Sequence, residues 1–170
     1  MTISMYEASV PVFRRLLANL AGILERAEAW AAERGIEERV LLEARLYPDM
    51  FPLVRQVQIA ADVATRGVDR LAGREASRVE DTETSLAELV ARLQRAIAHL
   101  DEFEPAEFDG AEQRAVTLEL RGRTVHFEGL PYLLNFVTPN VYFHVTTAYD
   151  ILRHNGLEIG KRDFLGDIFG

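Results

Sequence analysis

The chain of 170 residues contains no cysteine. Disulfides, thiolate metal sites and cysteine nucleophiles are therefore excluded from any account of it. Long apolar runs are also missing, and no stretch approaches the length needed to cross a bilayer. Basic charge is scarce: 19 Lys and Arg stand against 27 Asp and Glu, a net charge of −8. Nucleic acid is not an expected partner for such a chain, because phosphate backbones reward basic patches. A membrane partner is not expected either. The opening Met-Thr-Ile-Ser-Met-Tyr-Glu has no basic region followed by an apolar stretch, so no secretory signal is expected and the cytoplasm is the expected compartment. Short catalytic signatures are lacking as well: there is no GxSxG, no phosphate-cradling GxGxxG or GxxxxGK[ST], and no HExxH.

What is present is an ordinary globular balance, 48% apolar and 27% charged, in a length suited to one domain spanning 1–170. Ser4 and Glu7 have the spacing of a capping box. Phe13, Leu16, Leu17, Leu20, Ile23, Leu24, Ala27 and Trp30 then recur at helical intervals up to Gly35. Pro11 predicts either a kink in this first helix or a helix that begins there. After a connection over 36–46, Val54, Val57, Ala61, Ala64, Val68 and Leu71 predict a second helix ending at Gly73. Residues 74–84 read as a polar crossing loop, closed by a second capping box at Ser85 and Glu88. Leu86, Leu89, Val90, Leu93, Ile97, Leu100 and Phe103 mark a third helix, stopped by Pro105.

Val116, Leu118 and Leu120 alternate with polar residues, Arg121-Gly122-Arg123 supplies a turn, and residues 124–128 alternate again, which predicts a small hairpin. A fourth helix starts near Pro131, is expected to bend at Pro139, and runs to His154, before Asn155-Gly156. The segment 157–170 carries Leu157, Ile159, Phe164, Leu165, Ile168 and Phe169. That is too much apolar surface to stay wet, so a tail docked on its own helices or on a partner is expected. The pattern is all-α: a four-helix bundle with a long crossing loop and a β-hairpin inserted before the last helix.

Several strings add a resemblance. Pro48-Asp-Met-Phe-Pro52, Gln56-Val-Gln-Ile-Ala60, Asp81-Thr-Glu-Thr84, Phe143-His-Val-Thr-Thr-Ala-Tyr149 and Ile151-Leu-Arg-His-Asn-Gly156 are similar to an uncharacterised bacterial family among the DinB/YfiT-like bundles. The wider superfamily is often dimeric and typically binds zinc or nickel through three histidines, one on the second helix and two spaced by four on the last. Some of its members are thiol transferases. Residues four apart on a helix project side by side, so two imidazoles there can share one ion with a third from a facing helix. On this resemblance His144 matches the second histidine of the pair. The position four earlier is Asn140, and the second-helix position falls at or near Gln58.

Two of the three ligands are thus replaced by carboxamides, poor donors for zinc or nickel. No cofactor is expected. If a metal were bound, His144 with Asp62, one turn beyond Gln58, would be its ligands. The expected site is a polar pocket of Gln58, Asp62, Asn140 and His144. His144 has an ordinary reading beside this one, as a buried histidine hydrogen-bonded within the helices, and the amides could serve as a polar network that fixes helix register.

His126 is expected on the hairpin surface, and His99 and His154 near helix C-termini without a chemical role. Tyr132, Phe136, Tyr142, Phe143 and Tyr149 read as core or dimer contacts. Arg66, Arg70, Arg74 and Arg78, interleaved with Asp62, Asp69, Glu75 and Glu80, read as a solvated helix end. The leading functional expectation is a non-catalytic or small-ligand-binding protein with a degenerate metal site. A metal-dependent thiol transferase and a homodimeric interaction module are the alternatives.

Overall fold

The computed structural model describes residues 3–76, 78–120 and 122–167. Ser4 and Glu7 do cap one another, with the Glu7 amide donating to Ser4 Oγ at 3.1 Å and the Ser4 amide to Glu7 at 3.2 Å. They close a separate turn rather than opening the first helix. The Ser9 hydroxyl donates to the Met5 carbonyl at 2.6 Å, and α1 (Val10–Arg34) starts immediately afterwards with Pro11 in its first turn. Proline is favourable there because first-turn amides have no helical acceptor.

The connection holds a short helix, α2 (Glu38–Leu42), that periodicity over so few residues could not disclose. The second long helix, α3 (Leu53–Ala72), ends in a left-handed Gly73, as expected. Ser85 and Glu88 form a complete capping box at the start of α4 (Leu86–Leu100). That helix ends before Phe103, which instead packs its ring edge-on against His99 and Phe108.

Strands β1 (Ala115–Leu120) and β2 (Arg123–Glu128) pair antiparallel, with Val116 opposite Phe127 and Leu118 opposite Val125. A two-stranded hairpin is marginal alone. Here Val116 and Leu118 are buried, and Phe127 contacts Tyr132 and Phe136 at ring distances of 5.8 and 5.9 Å. Beyond the hairpin comes one helical turn, α5 (Gly129–Tyr132), then a widened π-helical turn over Leu133–Val137, then α6 (Thr138–His154). This π turn lies just before Pro139. Pro139 has no amide hydrogen, and in a regular helix its ring would meet the carbonyl one turn back, so the wider turn relieves the clash.

The four long helices contact in a ring: α1 against α4, α4 against α3, α3 against α6, and α6 back against α1. Phe13, Leu17, Leu20, Leu24, Leu53, Leu71, Leu89 and Leu93 lie fully buried at its centre. The tail packs on this chain's own helices. Leu157 and Ile159 are buried, and a last helix α7 (Lys161–Leu165) lies against α1. Asn19 donates to the Phe164 carbonyl at 3.0 Å, and Arg26 engages both the Glu158 carbonyl and the Asp163 carboxylate. Ile168 and Phe169 lie outside the described residues.

Candidate functional site

The expected constellation of Gln58, Asp62, Asn140 and His144 separates into three environments with different partners. On the face of α3 turned to α6, His144 Nδ1 lies 2.7 Å from Oε1 of Gln56, not from Gln58. The reason is helical phase: residues two apart on a helix point nearly opposite ways, so Gln56 and Gln58, though both buried, serve different neighbours. Of the two glutamines, it is Gln56 that faces His144.

The Gln56 amide is fixed by its nitrogen, which donates to the Phe51 carbonyl at 3.0 Å. Its oxygen must then face the imidazole, and an amide oxygen only accepts, so Nδ1 carries the proton and Nε2 holds the free lone pair. Burial first, and the charge of Arg55 second, push the His144 pKa below its ordinary value of 6.5. The ring is a neutral, oriented acceptor at neutral pH.

Asn140 does not join this pair. Its amide donates to the Phe136 carbonyl at 2.6 Å, one turn back within the π turn, so it is used within its own helical segment.

Gln58 and Asp62 belong to a charged cluster between α3, α4 and the crossing loop. At its centre is Arg92, whose side chain is only 2% exposed. One of its terminal nitrogens lies 2.7 Å from Asp62 and 3.0 Å from Asp81, and the other 3.0 Å from Glu83 and 2.9 Å from the Glu80 carbonyl. Gln58 donates to Glu83 at 2.9 Å, and Arg55 binds Asp81 and, at 3.3 Å, Gln58.

Burial alone would lower the Arg92 pKa, but the hydrogen bonds and charges of Asp62 and Glu83 outweigh it and hold the pKa above the ordinary arginine value. Burial would likewise raise Glu83, and the bonds from Gln58 and Arg92 bring it below the usual carboxylate range. The string Asp81-Thr-Glu-Thr84 is thus the clasp that holds the crossing loop to the helices.

A further pair escaped notice in the sequence. Asp69, buried on α3, lies 2.7 Å from His99 Nε2 on α4. Charge alternation along α3 disguised Asp69 as a surface residue, and only the register between α3 and α4 reveals its partner.

Two cavities flank Asp62. One of about 220 Å³ lies between α3 and α4, lined by Thr65, Arg92, Arg95 and His99. The other, about 470 Å³, lies between α3 and the hairpin, where Arg66, Arg70, Tyr132 and Phe136 meet β1. Asp62 lines both; Gln58, Asn140 and His144 line neither. Arg66 and Arg70, read as solvated, are half-buried in the larger one.

The donors around His144 do not fit zinc or nickel. One imidazole stands with carboxamides, Asn140 turns its amide to its own helix, and Asp62 is bound to Arg92. Among the described residues no group of three His, Asp or Glu side chains is placed to hold an ion. No described helix is long and apolar enough to cross a membrane.

The lowered His144 pKa gives a pH prediction. An unfolded chain protonates this histidine at about pH 6.5 and the folded one only at lower pH, so stability is lost as pH falls through 6.5. Urea midpoints of the wild type should decline between pH 7.5 and 5.5, with a shallower decline in His144→Gln. Equal slopes would mean that the imidazole is solvated.

This mostly helical chain with a hairpin before its last long helix has the architecture of a DinB family member. Its solved relatives include the crystal structure of a DinB family member protein from Shewanella denitrificans. That structure is 40% identical over 98% of this chain and 94% of its own, with a TM-score of 0.89. The chain belongs to the family described as a domain of unknown function (DUF1993), whose pattern matches residues 5–165. No curated protein is significantly similar to it.

Proposed function

We propose that this protein is a four-helix bundle of the DinB type that binds a small ligand and does not assemble the three-histidine metal centre of its wider superfamily. The observation that carries the lack of a three-histidine centre is the locked His144–Gln56 pair. The amide nitrogen is held by Phe51, the amide oxygen takes the Nδ1 proton, and the imidazole is left neutral with no second histidine beside it. Such an arrangement suits hydrogen-bonded recognition better than coordination of a divalent cation. The cavities beside Asp62 supply volume for a ligand.

A thiol transferase-like reading has one observation in its favour. A histidine that donates Nδ1–H to a fixed oxygen presents Nε2 as metal-binding imidazoles do. Elemental analysis of protein purified without chelator or a histidine tag separates the two. We expect well under one equivalent of zinc or nickel, unchanged in His144→Ala. Near-stoichiometric metal that disappears in His144→Ala would overturn the first reading and support the second.

A further inference from the structure

Among the described residues Arg14, Arg26, Arg39, Arg55, Arg74, Arg92 and Arg95 each pair with a carboxylate. Arg66 and Arg70 stand out by their place. Four apart on α3, they project side by side into the cavity of about 470 Å³, and among the described residues neither makes an ion pair. Arg66 Nε is buried without a hydrogen-bond partner, which is unfavourable for a group with five donors.

Arg70 donates to the Arg66 carbonyl at 3.1 Å and to the Tyr132 hydroxyl at 3.4 Å. Because that hydroxyl accepts from Arg70, its own proton is available to a third group. Of the two carboxylates on the cavity wall, Asp62 is paired with Arg92 at 2.7 Å and Glu119 accepts from the Thr124 hydroxyl at 2.5 Å.

We propose that this cavity binds a small organic carboxylate, its two oxygens held by Arg66, Arg70 and the Tyr132 hydroxyl and its apolar body lying against Phe136 and Leu118. A planar guanidinium matches the fork of a carboxylate. Asp62 and Glu119 at the wall disfavour a dianion, which selects a carboxylate over a phosphomonoester. Tyr132 and Phe136 stack at 5.7 Å between ring centres, and with Val63, Leu118 and Leu120 they make the remaining wall apolar. The cavity lies within the volume range of small-molecule sites. This assignment rests on the small-ligand reading above but not on His144.

The test is calorimetric titration at constant ionic strength with benzoate, phenyl phosphate and inorganic phosphate. Benzoate is expected to bind saturably and more tightly than either phosphate. Its affinity should fall about tenfold or more in Arg66→Gln and in Arg70→Gln, be partly retained in Arg66→Lys, and be unchanged in His144→Ala. The Lys variant keeps the charge and so controls for folding.

Absence of saturable benzoate binding, or equal binding by Arg66→Gln, would overturn the site. Tighter binding of phenyl phosphate would overturn the carboxylate assignment. Metal content distinguishes the two levels. A chain free of stoichiometric metal that fails to bind benzoate refutes this inference alone, whereas metal lost in His144→Ala refutes the reading beneath it.

Discussion

Replacing Arg92 by methionine is expected to lower the unfolding free energy by about 3 kcal/mol, because it takes from the buried Glu83 and the half-buried Asp62 their nearest counter-charge and leaves Glu83 only the exposed Arg95 at 3.8 Å. Glu83 has a side chain only 5% exposed, and Asp62 is 21% exposed, so neither can fully recover hydration in the folded state. Methionine keeps most of the apolar stem, which isolates the loss of the guanidinium from the loss of packing. Arg92→Lys should fall between the two, since one ammonium cannot reach Asp62, Asp81 and Glu83 with the geometry of a planar fork. Adding Glu83→Gln to Arg92→Met should restore part of the loss, a coupling that a double-mutant cycle in urea would read. A loss under about 1 kcal/mol, the range of exposed pairs, would mean that water already screens the cluster. The crossing loop should report the same event: in Arg92→Met, residues 74–84 should become the first site of limited proteolysis.

Most of the helical framework was legible because it depends on local chemistry. The Ser85–Glu88 box, the left-handed Gly73 and the apolar stripes of α1, α3 and α4 each act within a turn or two of chain. Ser4 and Glu7 made the right capping pair for the wrong element, because Ser9 closes that turn before Pro11 opens the helix. Gln56 rather than Gln58 meets His144, because the rotation of α3 relative to α6 is set by the whole interface and by no residue near Gln56.

Arg66 and Asp69 looked solvated for the same reason. The sequence shows that charges alternate along α3, but α3 is covered on several sides, by α4, α6 and the hairpin, so alternation does not mark an outer face. Asp62 lies at the crossing of these environments. It pairs with Arg92 and walls both cavities.

Gly129→Ala is expected to destabilise the fold by about 3 kcal/mol, at the upper end of ordinary overpacking. A Cβ at this position would stand 1.8 Å from the carbonyl oxygen of Ala111 and 3.0 Å from its carbon. Both obstacles are backbone, so the short turn of Ala111–Gln113 must move bodily away from α5. That turn leads directly into β1, and α5 carries Tyr132, so the displacement passes to the hairpin and to the larger cavity.

Gly67 on α3 gives an internal comparison. A Cβ there meets Val137 Cγ1 at 2.6 Å and Cγ2 at 3.1 Å, side-chain atoms that can shift without moving any backbone. Alanine also favours the helix interior by about 1 kcal/mol over glycine, so Gly67→Ala should be far milder than Gly129→Ala. Urea unfolding of both variants, read with benzoate titration, checks the argument. Gly129→Ala should lose stability and cavity binding together, and equal stabilities for the two variants would show that α5 does not approach Ala111 as closely as the fold requires.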